Sequence, residues 1–88
     1  MAEVKIYTTR LCGYCIRAKA LLNSKRIKFE EIDVSSNAEL RLWLRERTGR
    51  TSVPQVFING KAVGGYDDIA ALDRQGKLDP MLAATVTA

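Results

Sequence analysis

Histidine is absent from this 88-residue chain, and cysteine occurs only twice, at Cys12 and Cys15. A zinc site takes about four ligands, so this chain could complete one only with carboxylates or a second subunit. Long apolar runs are missing as well. No stretch approaches the ~20 apolar residues of a membrane span, and no membrane partner is expected. Met1-Ala2-Glu3-Val4-Lys5 runs straight into a strand pattern without the apolar core of a leader. Together with the low cysteine count this favours a reducing compartment, most simply the cytoplasm. Repeats and low-complexity segments are lacking too. A 47% apolar composition is that of a packed chain rather than a disordered one, and 88 residues make one domain.

The net charge is only +4. Its densest basic stretch, Arg41, Arg45, Arg47 and Arg50, is interrupted by Leu42, Trp43, Leu44 and Glu46. That is the solvated face of an amphipathic helix, and no nucleic-acid partner is expected. The modest positive field suits small anionic ligands or acidic protein surfaces.

The two cysteines stand three apart where one pattern gives way to another. Val4-Lys5-Ile6-Tyr7-Thr8 alternates in the period-2 manner of a strand, and Cys15, Ala18, Leu21 and Leu22 recur at helical spacing. Cys12 therefore falls at or just before the first turn of a helix. Free N–H groups and the positive end of the dipole favour a thiolate there. Cysteines so placed can have pKa values lowered from about 8.5 to roughly 3.5–7.5. Arg10 and Arg17 add positive charge nearby, and a second thiol at i+3 can close a disulfide with little movement. Structural alternatives are weaker. A disulfide across so short a loop constrains little chain, and unrelated core cysteines would not need to follow a strand and open a helix.

The rest of the chain reads as alternating elements. A strand over about 3–8 and a helix over about 13–24 precede a second strand over about 28–33, which makes a βαβ unit. Ser36-Asn37-Ala38-Glu39 fits a capping box with Ser36 as N-cap. The helix it opens carries Leu40, Trp43 and Leu44 on one face, with Trp43 expected in the core, and stops at Gly49. Asn59-Gly60 between two β-rich runs predicts a hairpin with a type I′ turn. Gly64-Gly65-Tyr66-Asp67-Asp68 lets the backbone turn tightly and opens a third helix over about 67–75. Its aspartates either cap that helix or hold a ligand's ammonium group. A short turn over 78–82 ends the domain at 1–82, and 83–88 is expected to be a frayed tail. On base rates of X-Pro bonds alone, Pro54 is expected trans.

The order βαβ, α, β-hairpin, α, with C-x-x-C opening the first helix, resembles the thioredoxin-like fold. This is an α/β architecture with a four-stranded mixed sheet flanked by three helices (β-α-β-α-β-β-α). Cys12-Gly13-Tyr14-Cys15, Ser52-Val53-Pro54 and Gly64-Gly65-Tyr66-Asp67-Asp68 together resemble the glutaredoxin family. The compact length and the ending 72–78 are most similar to its short bacterial dithiol members of the glutaredoxin 3 type.

The resemblance implies a glutathione-dependent thiol–disulfide oxidoreductase. Cys12 would be the nucleophile and Cys15 the resolving cysteine, with glutathione as co-substrate and glutathionylated or disulfide-containing proteins as partners. It also implies that Pro54 is cis. Ser52, Val53 and Pro54 would be glutathione-binding, with the Val53 backbone pairing with its cysteinyl part, and Gly65, Tyr66, Asp67 and Asp68 would receive its γ-glutamyl end. Arg41 would face the glycine carboxylate, and Tyr14 and Thr9 would line the cleft. Two departures stand out: Gly13 replaces the proline of the usual C-P-Y-C motif, and Thr9 stands where the family commonly has lysine. A thioredoxin-like reductase fed by a flavoprotein is a rival that the Gly-Gly-Tyr-Asp-Asp loop argues against. The alternative from another class, which Gly13 suggests, is a [2Fe-2S] cluster bridged between two subunits by Cys12 of each and two glutathiones. A monomer is expected otherwise.

Overall fold

The computed structural model describes residues 2–84. Its elements are β1 (Val4–Thr8), α1 (Gly13–Ser24), β2 (Glu30–Asp33), α2 (Ala38–Thr48), β3 (Gln55–Ile58), β4 (Lys61–Gly64), α3 (Tyr66–Arg74) and α4 (Leu78–Ala83). The strands form one mixed sheet in the order β2-β1-β3-β4, with β1 parallel to β2 and antiparallel to β3, and β3 antiparallel to β4. No helix among the described residues is long and apolar enough to cross a membrane.

Strand alternation divides the interior into two cores, because successive side chains point to opposite faces of a sheet. Val4, Ile6, Val56 and Ile58 meet Ala18 and Leu22 of α1, Ile69 of α3, and Leu78 and Leu82 of α4. On the other face Tyr7 and Phe57 meet Val34 and Leu44, with Ile32, Leu40 and Val53 at the margin. The parallel β1–α1–β2 crossover leaves α1 on the first face, and α2 alone covers the second.

Several local expectations need correction. The fourth helix, α4, replaces the expected short turn. Leu78 and Leu82 lie one turn apart and are both buried, so tertiary burial stabilises a segment too short to hold itself. Ala83 ends α4, and the Ala84 carbonyl accepts from Asn59 Nδ2 at 3.2 Å. Residues 85–88 of the expected tail lie outside the described residues. The cap of α2 is Asn37, not Ser36: Asn37 Oδ1 accepts from Leu40 N at 3.0 Å. Asparagine and serine cap about equally well, so the backbone geometry decides. Trp43 sits at the edge of its core, 36% exposed, stacked on Phe57 with centroids 5.7 Å apart and lying under the Arg47 guanidinium. Strand β2 begins at Glu30, two residues later than expected, and α3 begins one residue early, at Tyr66.

Other expectations hold. Gly49 ends α2 with φ 72°. Asn59 and Gly60 have φ 52° and 79°, the pair of positive values that a type I′ turn needs. The Val53-Pro54 bond is cis, as the family resemblance implies and base rates do not.

Candidate redox active site

Cys12 is the N-cap of α1, in extended conformation, and its Sγ accepts from the Cys15 N–H at 3.1 Å. The sulfur thus occupies the place where a serine or aspartate oxygen would cap a helix. No acidic side chain lies in the first turn to oppose a thiolate there. Cys12 and Cys15 are joined as a disulfide, with Cα atoms 5.2 Å apart. The two sulfurs differ in access: Cys12 is partly exposed, whereas Cys15 is only 2% exposed. An incoming disulfide can therefore reach Cys12 and not Cys15. The fold produces this asymmetry by putting Cys15 on the buried stripe of α1, with Ala18 and Leu22.

Residues far away in sequence are brought to Cys12. The Val53 carbonyl oxygen lies 3.8 Å from Cys12 Sγ. A disulfide sulfur has no proton to donate, so this distance records proximity; a Cys12 thiol could use the oxygen as an acceptor. Gln55, buried in β3, braces the same loop through Nε2 to the Ser52 carbonyl at 3.0 Å. From there a groove of about 260 Å³ runs between Tyr14, Ser52, Val53 and Pro54 on one side and Gly65, Tyr66, Asp67 and Asp68 on the other, with Arg50 at its edge. Tyr14 and Tyr66 face each other with ring centroids 6.4 Å apart.

Asp68 organises the far end of the groove. Its Oδ2 accepts from Gly65 N at 2.9 Å and from Arg50 Nη1 at 2.7 Å. The Arg50 guanidinium, and after it the Gly65 N–H, hold the Asp68 carboxyl below the ordinary carboxylate range. Asp68 thus caps α3, one of the two roles open in the sequence, and faces the groove at the same time. A Cβ at Gly64, where φ is 123°, would collide with the Asp68 side chain, so glycine is required there.

Of the candidate residues, Tyr14, Ser52, Val53, Pro54, Gly65, Tyr66, Asp67 and Asp68 line this groove; Cys12 lies beside it, 3.8 Å from the Val53 carbonyl oxygen and bonded to Cys15. Arg41 and Thr9 are not among the lining residues; Arg41 stands exposed on α2. The cation on the groove is instead Arg50, which the sequence places only within a basic stretch. Its position, one residue past the Gly49 helix stop and two before Ser52, is the signal that points it here. Arg10 turns away toward β2. Its N–H donates to Ser35 Oγ at 2.8 Å, and its Nε lies 3.8 Å from Asp33 Oδ2. Asp33 is itself held below its ordinary pKa by the Ser35 backbone N–H, then the Ser35 hydroxyl and Arg10. Arg10 therefore ties the Cys12 loop to the end of β2.

Comparison with known proteins agrees with this geometry. The family model described as Glutaredoxin matches residues 4–63. Glutaredoxin 3 of Escherichia coli K12 is 52% identical over 82 residues, covering 93% of this chain and 99% of the relative. The solution structure of glutaredoxin from Brucella melitensis superposes with a TM-score of 0.84 at 52% identity, covering 93% of this chain and 89% of that one. A crystal structure of a buckwheat glutaredoxin–glutathione complex gives a TM-score of 0.86 at 33% identity, covering 92% and 76%.

Proposed function

Since the chain belongs to the glutaredoxin family and carries the Cys12–Cys15 pair of a thiol–disulfide oxidoreductase, we propose that it draws its electrons from glutathione and reduces protein–glutathione mixed disulfides and protein disulfides. The carrying observation is the groove that begins beside Cys12 and ends at Asp68 and Arg50. It offers main chain beside the sulfur and both signs of charge at the far end. Those features suit a short extended thiol peptide with charged termini, docked in strand-like fashion. The buckwheat relative, in complex with glutathione, supports the same reading.

On a glutathionylated protein, the Cys12 thiolate attacks the glutathione sulfur. A Cys12–glutathione disulfide forms, and the protein leaves as its thiolate, taking up a proton. A second glutathione thiolate then attacks the glutathione sulfur of that intermediate, giving oxidised glutathione and free Cys12. On a protein disulfide, Cys12 forms a mixed disulfide with one target sulfur and releases the other. The Cys15 thiolate then attacks Cys12 Sγ, freeing the target and closing the Cys12–Cys15 bond. Two electrons pass from the dithiol to the target, and glutathione returns them. Glutaredoxin potentials of roughly −200 to −230 mV are within reach of a cytosolic glutathione pool, in keeping with the reducing compartment expected from the sequence. Arg41 is retained in the proposal as a second, outer cation for the glycine carboxylate.

A [2Fe-2S] cluster needs four thiolates, and this chain presents one accessible sulfur. Among the described residues no group of three or more His, Cys, Asp or Glu comes together. The cluster reading takes one thiolate, Cys12, from each of two chains and the other two from glutathione, so a single chain would supply only that one ligand; the reaction proposed here uses the dithiol.

The test is a glutathione-coupled assay on a glutathionylated protein and on a protein disulfide. Cys12→Ser is expected to abolish both reactions. Cys15→Ser should keep the first and lose most of the second. Equal loss of the first reaction in both variants would overturn the assigned roles.

A further inference from the structure

Beside the reacting sulfur stand two large apolar side chains that the glutathione groove does not use. Leu11, immediately before the cap Cys12, is fully exposed, and Ile16, in the first turn of α1, is 64% exposed. Counted from the cap, they occupy the N′ and N4 positions. Apolar residues there ordinarily pack on one another as a hydrophobic staple. Here the staple is open. Leu11 has φ 56°, a backbone conformation that residues with a Cβ adopt at a cost, and its side chain has nothing packed against it. The loop is held in this shape from the other side, by the Arg10 N–H to Ser35 Oγ.

A protein substrate must bring its own sulfur within bonding distance of Cys12 Sγ, so the chain around that sulfur necessarily passes over the residues flanking Cys12. We propose that Leu11 and Ile16 are a docking platform for protein substrates, selecting segments that carry an apolar side chain next to the cysteine under attack. Burying such a side chain against Leu11 and Ile16 removes apolar surface of both partners from water. Glutathione, held in the groove, makes no use of the platform. The proposal rests on Cys12 as the attacking sulfur, as in the reading above, and adds which protein partners reach it fastest.

The experiment needs no glutathione. The fully reduced protein is mixed, at one equivalent, with either of two disulfide-bridged peptides whose attacked cysteine is flanked by leucine or by serine. The reaction is quenched by alkylation, and the peptide dithiol and the Cys12–Cys15 disulfide are counted by mass. Wild type is expected to reduce the leucine peptide about tenfold faster, the scale of one apolar contact. The double variant Leu11→Asn/Ile16→Gln should lose that preference and leave the serine peptide unchanged; asparagine tolerates the positive φ, and glutamine the helix. Leu42→Gln, an exposed apolar residue on α2, should change neither rate. Equal wild-type rates on the two peptides would overturn the proposal, as would a double variant that slows both alike or a Leu42→Gln loss of the same size. Should the double variant fail to fold, Leu11→Asn alone and the wild-type preference decide. In a parallel assay, turnover of a small glutathione mixed disulfide reports on the glutathione reading separately. Its absence, with the peptide preference intact, removes that reading and leaves the platform.

Discussion

Asp68→Asn separates the charge of the carboxylate at the groove's far end from its shape. In the folded protein Asp68 Oδ2 takes the Gly65 N–H at 2.9 Å and the Arg50 guanidinium at 2.7 Å. The Arg50 pair is partly solvated, with side chains 51% and 39% exposed, so solvent screening keeps its contribution to about 0–1 kcal/mol. The cap on α3 contributes about 1 kcal/mol more. Asp68→Ala, which removes both, should therefore cost about 1–2 kcal/mol, or roughly 4–15 °C in Tm for a domain of this size. Asp68→Asn keeps an oxygen for Gly65 and loses the charge, and should cost about 0.5–1 kcal/mol. The pH dependence has a definite sign. Because the folded pKa is depressed, the charge contributes fully above the unfolded value of about 4 and is lost as pH falls through the folded value. Urea unfolding of wild type and Asp68→Asn at neutral pH, and again in steps below about pH 4, measures the gap between them. It should close on acidification. A gap that persists after the carboxylate is protonated would refute the electrostatic account, and a loss in Arg50→Ala equal to that in Asp68→Ala would refute the cap.

Other outcomes follow from the same geometry. Arg50→Ala should raise KM for a glutathionylated substrate about two- to fivefold with kcat little changed, the kinetic signature of a remote binding contact. Arg41→Ala, placed farther out on α2, should raise it less, and an Arg41 effect larger than that of Arg50 would make Arg41 the main cation of the site instead of Arg50. Gly64→Ala should destabilise by about 2 kcal/mol or more, since it meets both a positive φ and the Asp68 side chain; a neutral result in thermal melts would contradict the tight turn. Asn37→Ala should cost about 1 kcal/mol and Ser36→Ala almost nothing, because Asn37 alone caps α2. Chemical unfolding of the two variants distinguishes them, and the reverse order would restore the capping box read from the sequence.

The sequence by itself determined the features that are local. A period-2 run followed by a period-3.6 run put Cys12 at a helix start, and the N-cap geometry follows from chain connectivity alone. Asn59-Gly60 set its own turn, because its positive φ values depend on those two residues. Three short motifs identified the family. The tertiary structure decided what depends on residues distant in the chain. The place of Val53 beside Cys12 Sγ and the burial of Cys15 require the sheet to be assembled. Asn37 caps α2 in place of Ser36, and no difference in propensity between the two residues could have foretold it. Leu78 and Leu82 form a helix because a core receives them, although six residues carry almost no helical stability of their own. Arg50 reads as one arginine of a solvated face until α2 ends and the loop to β3 turns it onto Asp68, eighteen residues away. Charge partners are chosen by proximity in space, and the spacing of arginines along a helix carries no record of which carboxylate the fold will bring near.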